Sequence, residues 1–411
     1  MSYEVPLESL FTAYFECRKN KRATLNALHF ELEYESNLID LQNELRAGTY
    51  NPGRSIAFVI DKPVKREIFA ADFKDRVVHH WLINKLNPLF EQAFIYDSYA
   101  CRTNKGTHFG IARADRFIRK CSQNYTKDAY VLKLDIQGFF MAINRRILWE
   151  RLCAFIEKKY IHEDKELVLF LCHKMLTNNP TKNCLIKGGR HNWDNLPPNK
   201  SLFYSPLNCG LPIGNLTSQV FANFYLNPFG HFMKKELGLA YYGRFVDDFI
   251  VVHECGNHLK SLIPIIKSIL KKEFNLTLHP KKTYLQHCSK GTPFLGVIIK
   301  PNRIYAGKRT KGNWYSAITK HNQVVATKRP NKEEQAAFLC SMNSYLGLMK
   351  HYKTHSLRKK MLKKHLSLWW WNLFYLSSDC SKIALIKKAH PKTKNNKNRM
   401  CNTSLIPKNG G

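Results

Sequence analysis

The sequence predicts an α+β fold, and three observations carry that reading. Tyr241 to Val252 is a pair of β-type apolar runs meeting at Asp247 and Asp248. Val, Ile, Phe and Tyr favour strands, and Asp favours the turn between them. In Ala129 to Phe140, Tyr130, Leu132, Leu134 and Ile136 share one face of a strand, and Val131, Lys133 and Asp135 share the other. Between and around these strands lie segments whose apolar residues recur at helical spacing.

In chain order, residues 1 to about 50 read as helical and mixed in charge. Asn51 to Arg54, with Pro and Gly, is a turn into a strand over Ser55 to Ile60. Asp61 to Arg66 is a basic loop. Glu67 to Asn87 has helical spacing, with Val77, Val78, Trp81, Leu82 and Leu86 on one face. Residues 146 to 176 are helical, and Asn178 to Pro206, rich in Asn, Pro, Gly and Lys, is mostly loop. Leu216 to Leu226 is helical, and Leu259 to Phe274 is an amphipathic helix with Leu262, Ile265, Ile266, Ile269 and Leu270 on its apolar side. Leu276, Leu278, Tyr284 and Leu285 suggest strands around a Pro-Lys-Lys turn. Apolar helices return over Glu333 to Leu376. The run from Lys387 has almost no apolar residues and reads as a disordered basic tail.

With 411 residues the chain is long enough for two or three subdomains. A 44% hydrophobic and 12% aromatic composition excludes a largely disordered protein. The net charge of +34, from 65 Lys+Arg against 31 Asp+Glu, points to a polyanionic partner, nucleic acid first. The 12 cysteines form no Cys-x-x-Cys pair, which argues against a zinc ribbon or a thioredoxin-like site. The N-terminus lacks a signal-peptide pattern, and the longest apolar stretch, Leu366 to Leu376, is too short to span a bilayer. These features predict a cytoplasmic protein with reduced thiols and no membrane partner.

Two adjacent carboxylates repel each other, so a fold that presents Asp247 and Asp248 together calls for a cation. Mg²⁺ suits hard oxygen ligands and few protein carboxylates. A third acid, Asp135, ends the apolar strand just before Gly138. If the two strands pair in one sheet, the three acids can hold two metal ions about 4 Å apart, as polymerases do.

The ordered series Lys65-Arg66-Glu67-Ile68, Leu134 to Phe140, Gly210 to Asn215, Phe245 to Asp248, Lys281-Lys282-Thr283 and Phe294-Leu295-Gly296 resembles the reverse transcriptase motifs. Within that superfamily, Leu211-Pro212-Ile213-Gly214-Asn215-Leu216-Thr217-Ser218-Gln219 resembles the enzymes of bacterial and phage diversity-generating retroelements. Trp193 to Pro197, Lys200 to Phe203, Ser344 to Gly347 and Ile95 to Arg102 add to the likeness.

The resemblance implies a right-hand polymerase. Fingers would occupy residues 1–125 with an N-terminal helical part. The palm, an antiparallel sheet packed on helices, would occupy 126–300 and include a loop insertion at 178–206. A helical thumb would run over 301–376, and a basic disordered tail over 377–411. The implied catalytic acids are Asp135, Asp247 and Asp248. These, with Ile136, would form the metal site for two Mg²⁺. Lys65, Arg66, Phe140, Ile213, Gly214, Gln219 and Lys282 would form the nucleotide site, with Lys281 an alternative to Lys282. Phe140 would lie beneath the sugar and exclude a 2′-hydroxyl. Ile213 replaces a side chain able to hydrogen-bond near the base pair, which implies errors opposite template adenines. Phe294, Leu295 and Gly296 would grip the primer. Trp369-Trp370-Trp371 is either a stacking platform or a thumb core.

The implied activity is RNA-directed DNA synthesis, making adenine-mutagenised cDNA from a template-repeat RNA to diversify a target gene. The implied partners are template RNA, a DNA or cDNA primer, dNTPs and an accessory variability protein, in a bacterial or phage setting. A phage-defence reverse transcriptase and a non-catalytic RNA-binding scaffold are the alternatives.

Overall fold

The computed structural model describes residues 3–19, 24–61 and 64–386. Three helices open the chain: α1 (Leu7–Arg18), α2 (Leu25–Leu32) and α3 (Tyr34–Arg46). A hairpin follows, β1 (Ile56–Ile60) with β2 (Arg66–Ala70), and then the long helix α4 (Phe73–Ala93). The helix expected from Glu67 therefore starts six residues later. Glu67 to Ala70 alternate in burial and pair antiparallel with β1, and the helix begins where the Asp72 carboxylate caps the Lys74 N–H. The apolar face read from the sequence is the buried one: Val77, Val78, Trp81, Leu82 and Leu86 are in the core.

After α5 (Thr107–Cys121) comes β3 (Tyr130–Ile136), then the single-turn α6 (Phe139–Ala142), α7 (Arg145–Lys159) and α8 (Lys165–Thr177). Residues 178–206 hold only short 3₁₀ turns and a two-residue strand, β4 (Leu185–Ile186), which pairs parallel with β1. Helices α9 (Leu216–Tyr225) and α10 (Asn227–His231) lead to β5 (Tyr242–Phe245) and β6 (Asp248–His253). Next are α11 (Gly256–Phe274) and β7 (Leu278–His287). Two departures from the sequence reading occur here. The stripe that α11 buries is Leu259, Leu262, Ile266 and Leu270, while Ile265 is exposed. The expected Pro-Lys-Lys turn is instead the interior of one strand, β7. Proline is tolerated there because β7 is an edge strand and its ladder with β3 is interrupted between Thr283, opposite Leu134, and Leu278, opposite Ile136.

The central sheet runs β5-β6-β3-β7, every pair antiparallel. Helices pack on it to form one large core that takes in Leu132, Leu134, Phe249, Val251, Ile266 and Leu270. A small sheet, β8 (Thr292–Phe294), β9 (Val297–Lys300) and β10 (Arg303–Ala306), follows. Helices α12 (Lys308–Thr327), α13 (Lys332–Met349), α14 (His355–His365) and α15 (Leu368–Trp371) come next. The hairpin β11 (Phe374–Leu376) and β12 (Ile383–Leu385) ends the described chain.

The chain divides into two compact units, the first ending at Thr310 and the second starting at Lys311. The first contains both the expected fingers and the expected palm. In the second, Trp370 is fully buried and stacks on Phe338 with ring centroids 3.9 Å apart, so it is core. Ordered backbone continues past residue 376, where the basic tail was expected to begin, because β12 pairs back onto β11. Residues 387–411, the rest of that expectation, lie outside the described residues. Among the described residues no helix is long and apolar enough to cross a membrane.

One buried acid shapes stability against pH. Asp75 in α4 is 2% exposed and accepts from the Tyr50 hydroxyl at 2.8 Å and the Gly53 N–H at 2.9 Å. Burial is the main reason its carboxyl is raised from 3.8 to about 6. Between those values the folded protein keeps a proton that the unfolded chain has released. Stability therefore falls as pH rises through the window, by about 2–3 kcal/mol. Asp75→Asn, followed by denaturant unfolding at pH 4 and pH 7, should remove most of that fall.

Candidate active site

The acids meet because of strand pairing. Leu134 lies opposite Phe249 and Lys133 opposite Ile250, so Asp135 leaves β3 beside the start of β6, where Asp248 sits. Phe245 pairs with Asp248, leaving Val246 and Asp247 as a two-residue turn. Val246 has φ +55°, a conformation that β-branched residues avoid. The turn is a strained one that holds Asp247 at its tip. The three carboxylates feel one another. Burial first, and then Asp248 and Asp135, push the Asp247 carboxyl up to about 7, against a main-chain hydrogen bond and the weaker pull of Arg66. Asp248 is also raised by burial, with Lys133 opposing.

Two lysines answer this charge. Lys282 Nζ is 2.8 Å from Asp135 Oδ2, and Lys133 Nζ is 3.1 Å from Asp248 Oδ1. Of the two lysines left open by the sequence, Lys282 is thus the one whose ammonium is at the acids. As placed, no group of three or more His, Cys, Asp or Glu side chains among the described residues is gathered tightly enough to hold a metal ion. That includes the stretch His253 to His258. The chemistry of the donor set nevertheless fits a hard divalent cation: three carboxylates at adjoining strand ends, one of them pushed toward protonation by burial and by its two acidic neighbours. Ile136 has a hydrocarbon side chain with no donor atom, so only its main-chain carbonyl could be a ligand.

Of the other residues singled out, contacts lead back to this centre from Arg66 and Phe294, Phe140 and Ile213 share a small apolar cluster, and two are exceptions. Arg66, exposed at the start of β2, is near enough to Asp247 to be felt electrostatically. Lys65 turns away, donating to the Asp194 carbonyl at 2.6 Å. Phe140 and Ile213 pack on one small apolar cluster. The Ile213 carbonyl accepts from the Phe69 N–H at 2.8 Å. Gly214 has φ +130°, and a Cβ there would lie 2.8 Å from the Phe69 carbonyl, so the Leu211–Asn215 loop fits against β2 only with glycine. Gln219 is the second exception: it is exposed on α9 and accepts from Cys101 Sγ at 3.5 Å. Phe294 is buried, and Lys133 Nζ lies 5.5 Å from its ring centroid, so the expected primer grip and Asp248 share a lysine. Leu295 and Gly296 both have positive φ and form the tight turn between β8 and β9.

Sequence reasoning missed Lys133 and Arg244. Lys133 was placed on the correct face, and its position two residues before Asp135 was the available signal. Arg244 is fully buried in β5; its guanidinium donates to Asn223 Oδ1 at 2.7 Å, Asn223 O at 2.8 Å and Val246 O at 3.3 Å. Nothing in a strand pattern marks an arginine as buried.

An antiparallel palm sheet with acids at the ends of its central strands defines a right-hand polymerase. Residues 61–299 match the reverse transcriptase (RNA-dependent DNA polymerase) family. That is more than half of the chain, and the chain belongs to this family, whose members are nucleotidyltransferases. It is also similar to Protein YkfC of Escherichia coli (strain K12), 20% identical over 290 residues, covering 62% of this chain and 69% of that protein. Among solved structures it is similar to the telomerase of Candida albicans in complex with the TWJ fragment of telomeric RNA. That match is 12% identical, covers 81% of this chain and 61% of that one, and has a TM-score of 0.44. Apo telomerase from Candida tropicalis is 15% identical over 76% of this chain and 56% of that one, with a TM-score of 0.47. The chain thus spans 56–61% of the length of these telomerases.

Proposed function

We propose that this protein is an RNA-directed DNA polymerase that copies a template RNA from a DNA primer with dNTPs, and that its setting is a diversity-generating retroelement. The observation that carries the first part is the meeting of Asp135, Asp247 and Asp248, with Arg66 and Lys282 at their edge. Asp135 and Asp247 serve as the principal carboxylates and Asp248 as support. Divalent cations, Mg²⁺ by ligand preference, supply the charge that lets a primer hydroxyl meet a triphosphate. Arg66 meets the phosphates through its planar fork. Lys282 stands where an ammonium can give a proton to the departing pyrophosphate. Phe294, Leu295 and Gly296 support the primer end.

The retroelement reading rests on the block Leu211 to Gln219, above all on Ile213, which brings an apolar side chain to the nucleotide region. An apolar contact discriminates among partners less well than a hydrogen-bonding one. The partners proposed with it are the element's RNA and an accessory variability protein.

Extension of a primed RNA template with dNTPs, reversed by chelation, is the direct test; no extension under any divalent ion would overturn the polymerase reading. Sequencing the cDNA separates the settings. Substitutions concentrated at template adenines, reduced in Ile213→Gln, are expected; an even error spectrum favours a phage-defence role. In the same assay, Phe140→Ala should raise ribonucleotide use by roughly 10- to 100-fold.

A further inference from the structure

The segment 178–206 lies over the candidate nucleotide site, and one carboxylate fastens it there. Glu67, on β2 next to Arg66, is fully buried. Its Oε2 accepts from Trp193 Nε1 and Ser201 Oγ, both at 2.6 Å, and its Oε1 accepts from the Leu202 N–H at 2.6 Å. All three donors belong to the 178–206 segment. These three neutral donors satisfy both carboxylate oxygens, as burial of a polar group requires. Further ties run the same way: β4 pairs with β1, and Lys65 donates to the Asp194 carbonyl.

The other side of the segment reaches the nucleotide residues. Leu202 belongs to a buried cluster with Ala57, Phe69 and Met141, and Phe140, Ile213 and Trp193 pack against it. The Asn199 carbonyl lies against Gly138, three residues after Asp135. Gly138 has φ +55°, and a Cβ there would come within 2.5 Å of that oxygen. The segment therefore braces the finger hairpin that carries Arg66. It also braces Phe140, Ile213 and the exit of the acid strand.

We propose that the 178–206 segment, locked by Glu67, is the wall that sets nucleotide selectivity, and that Glu67 is a positioning residue for Phe140, Ile213 and Arg66. This rests on the polymerase reading. A carboxylate fastened only for stability would leave selectivity unchanged when loosened. A wall that positions the selective residues would change it.

The test is primer extension on RNA by the full chain, measuring kcat and KM for dNTP and rNTP and the misincorporation frequency. Glu67→Gln turns one acceptor into a donor facing a donor. Trp193→Phe removes one N–H and keeps the ring packing. Both should raise KM for dNTP more than they lower kcat, with selectivity for dNTP over rNTP falling roughly tenfold in Glu67→Gln and less in Trp193→Phe. If Glu67→Gln does not melt cooperatively, Trp193→Phe decides. An equal loss of kcat for all nucleotides, with unchanged selectivity, overturns the proposal. A wild-type protein that extends no primer overturns the polymerase reading itself, a separable result.

Discussion

Asp247→Asn should lower primer extension by about a thousandfold and leave the protein at least as stable as the wild type. The two effects have opposite signs because they come from the same charge. Asp247 sits at the tip of the β5–β6 turn, and burial, with Asp248 and Asp135 after it, raises its carboxyl to about 7. Arg66 is the only cation felt among the causes of that shift, and it does not offset them. The amide removes the cost of a buried charge and the repulsion from its neighbours, and the gain is about 1–2 kcal/mol after solvent screening at this partly exposed turn. It also removes the ligand around which a cation would assemble the reacting groups, a contribution of several kcal/mol to the barrier. Thermal melting in chelator reads the first effect and single-turnover extension reads the second. A variant that loses stability and activity together would mean that Asp247 is a structural turn residue. Asp248→Asn should be milder on activity, since Lys133 already neutralises Asp248 at 3.1 Å.

The acids were legible because strand alternation is strict. One face of β3 and one turn between β5 and β6 left little freedom for where Asp135, Asp247 and Asp248 could point. Lys282 was half legible, since its neighbour Lys281 has the same chemistry and both lie where the β3–β7 ladder is interrupted, out of reach of a strand pattern. The strand at Glu67 to Ala70 was lost to a helical pattern that starts just after it. Four residues are too few for periodicity to outweigh a 21-residue helix. The clamp at Glu67 was out of reach for a different reason. Its three donors lie 126 to 135 residues away, in a segment whose composition says only that it is irregular. Lys65 was assigned to the nucleotide site by its place in the motif beside Arg66, and a backbone carbonyl of that same segment holds it.

Arg244→Lys should cost about 2–4 kcal/mol of stability and lower kcat at least tenfold, with KM for dNTP nearly unchanged. Arg244 is a buried cation with no carboxylate among the partners of its guanidinium, and burial depresses it to about 10. Such a residue is expensive to bury. What it achieves is a connection: one guanidinium reaches both the side chain and the main chain of Asn223 on α9, and also the carbonyl of Val246. Asn223 is itself held by the Ser98 hydroxyl at 3.0 Å and the Ala100 carbonyl at 3.0 Å. The acid turn is therefore tied through a single planar group to a helix behind the sheet. An ammonium cannot span these oxygens at once. The reason a tie is needed is Val246, whose left-handed φ costs of order 1–3 kcal/mol and persists only where its surroundings enforce it. With the tie weakened, the still-strained turn is no longer fully enforced, and Asp247 is off position for part of the time. Adding Val246→Gly to Arg244→Lys tests that chain of cause. Glycine takes φ +55° without strain, so it should restore about 1 kcal/mol of stability. It should restore little activity, because a relaxed glycine turn aims the carboxylate no better. Full recovery of kcat in the double variant would show that strain at Val246, and not the connection to Asn223, is what Arg244 controls.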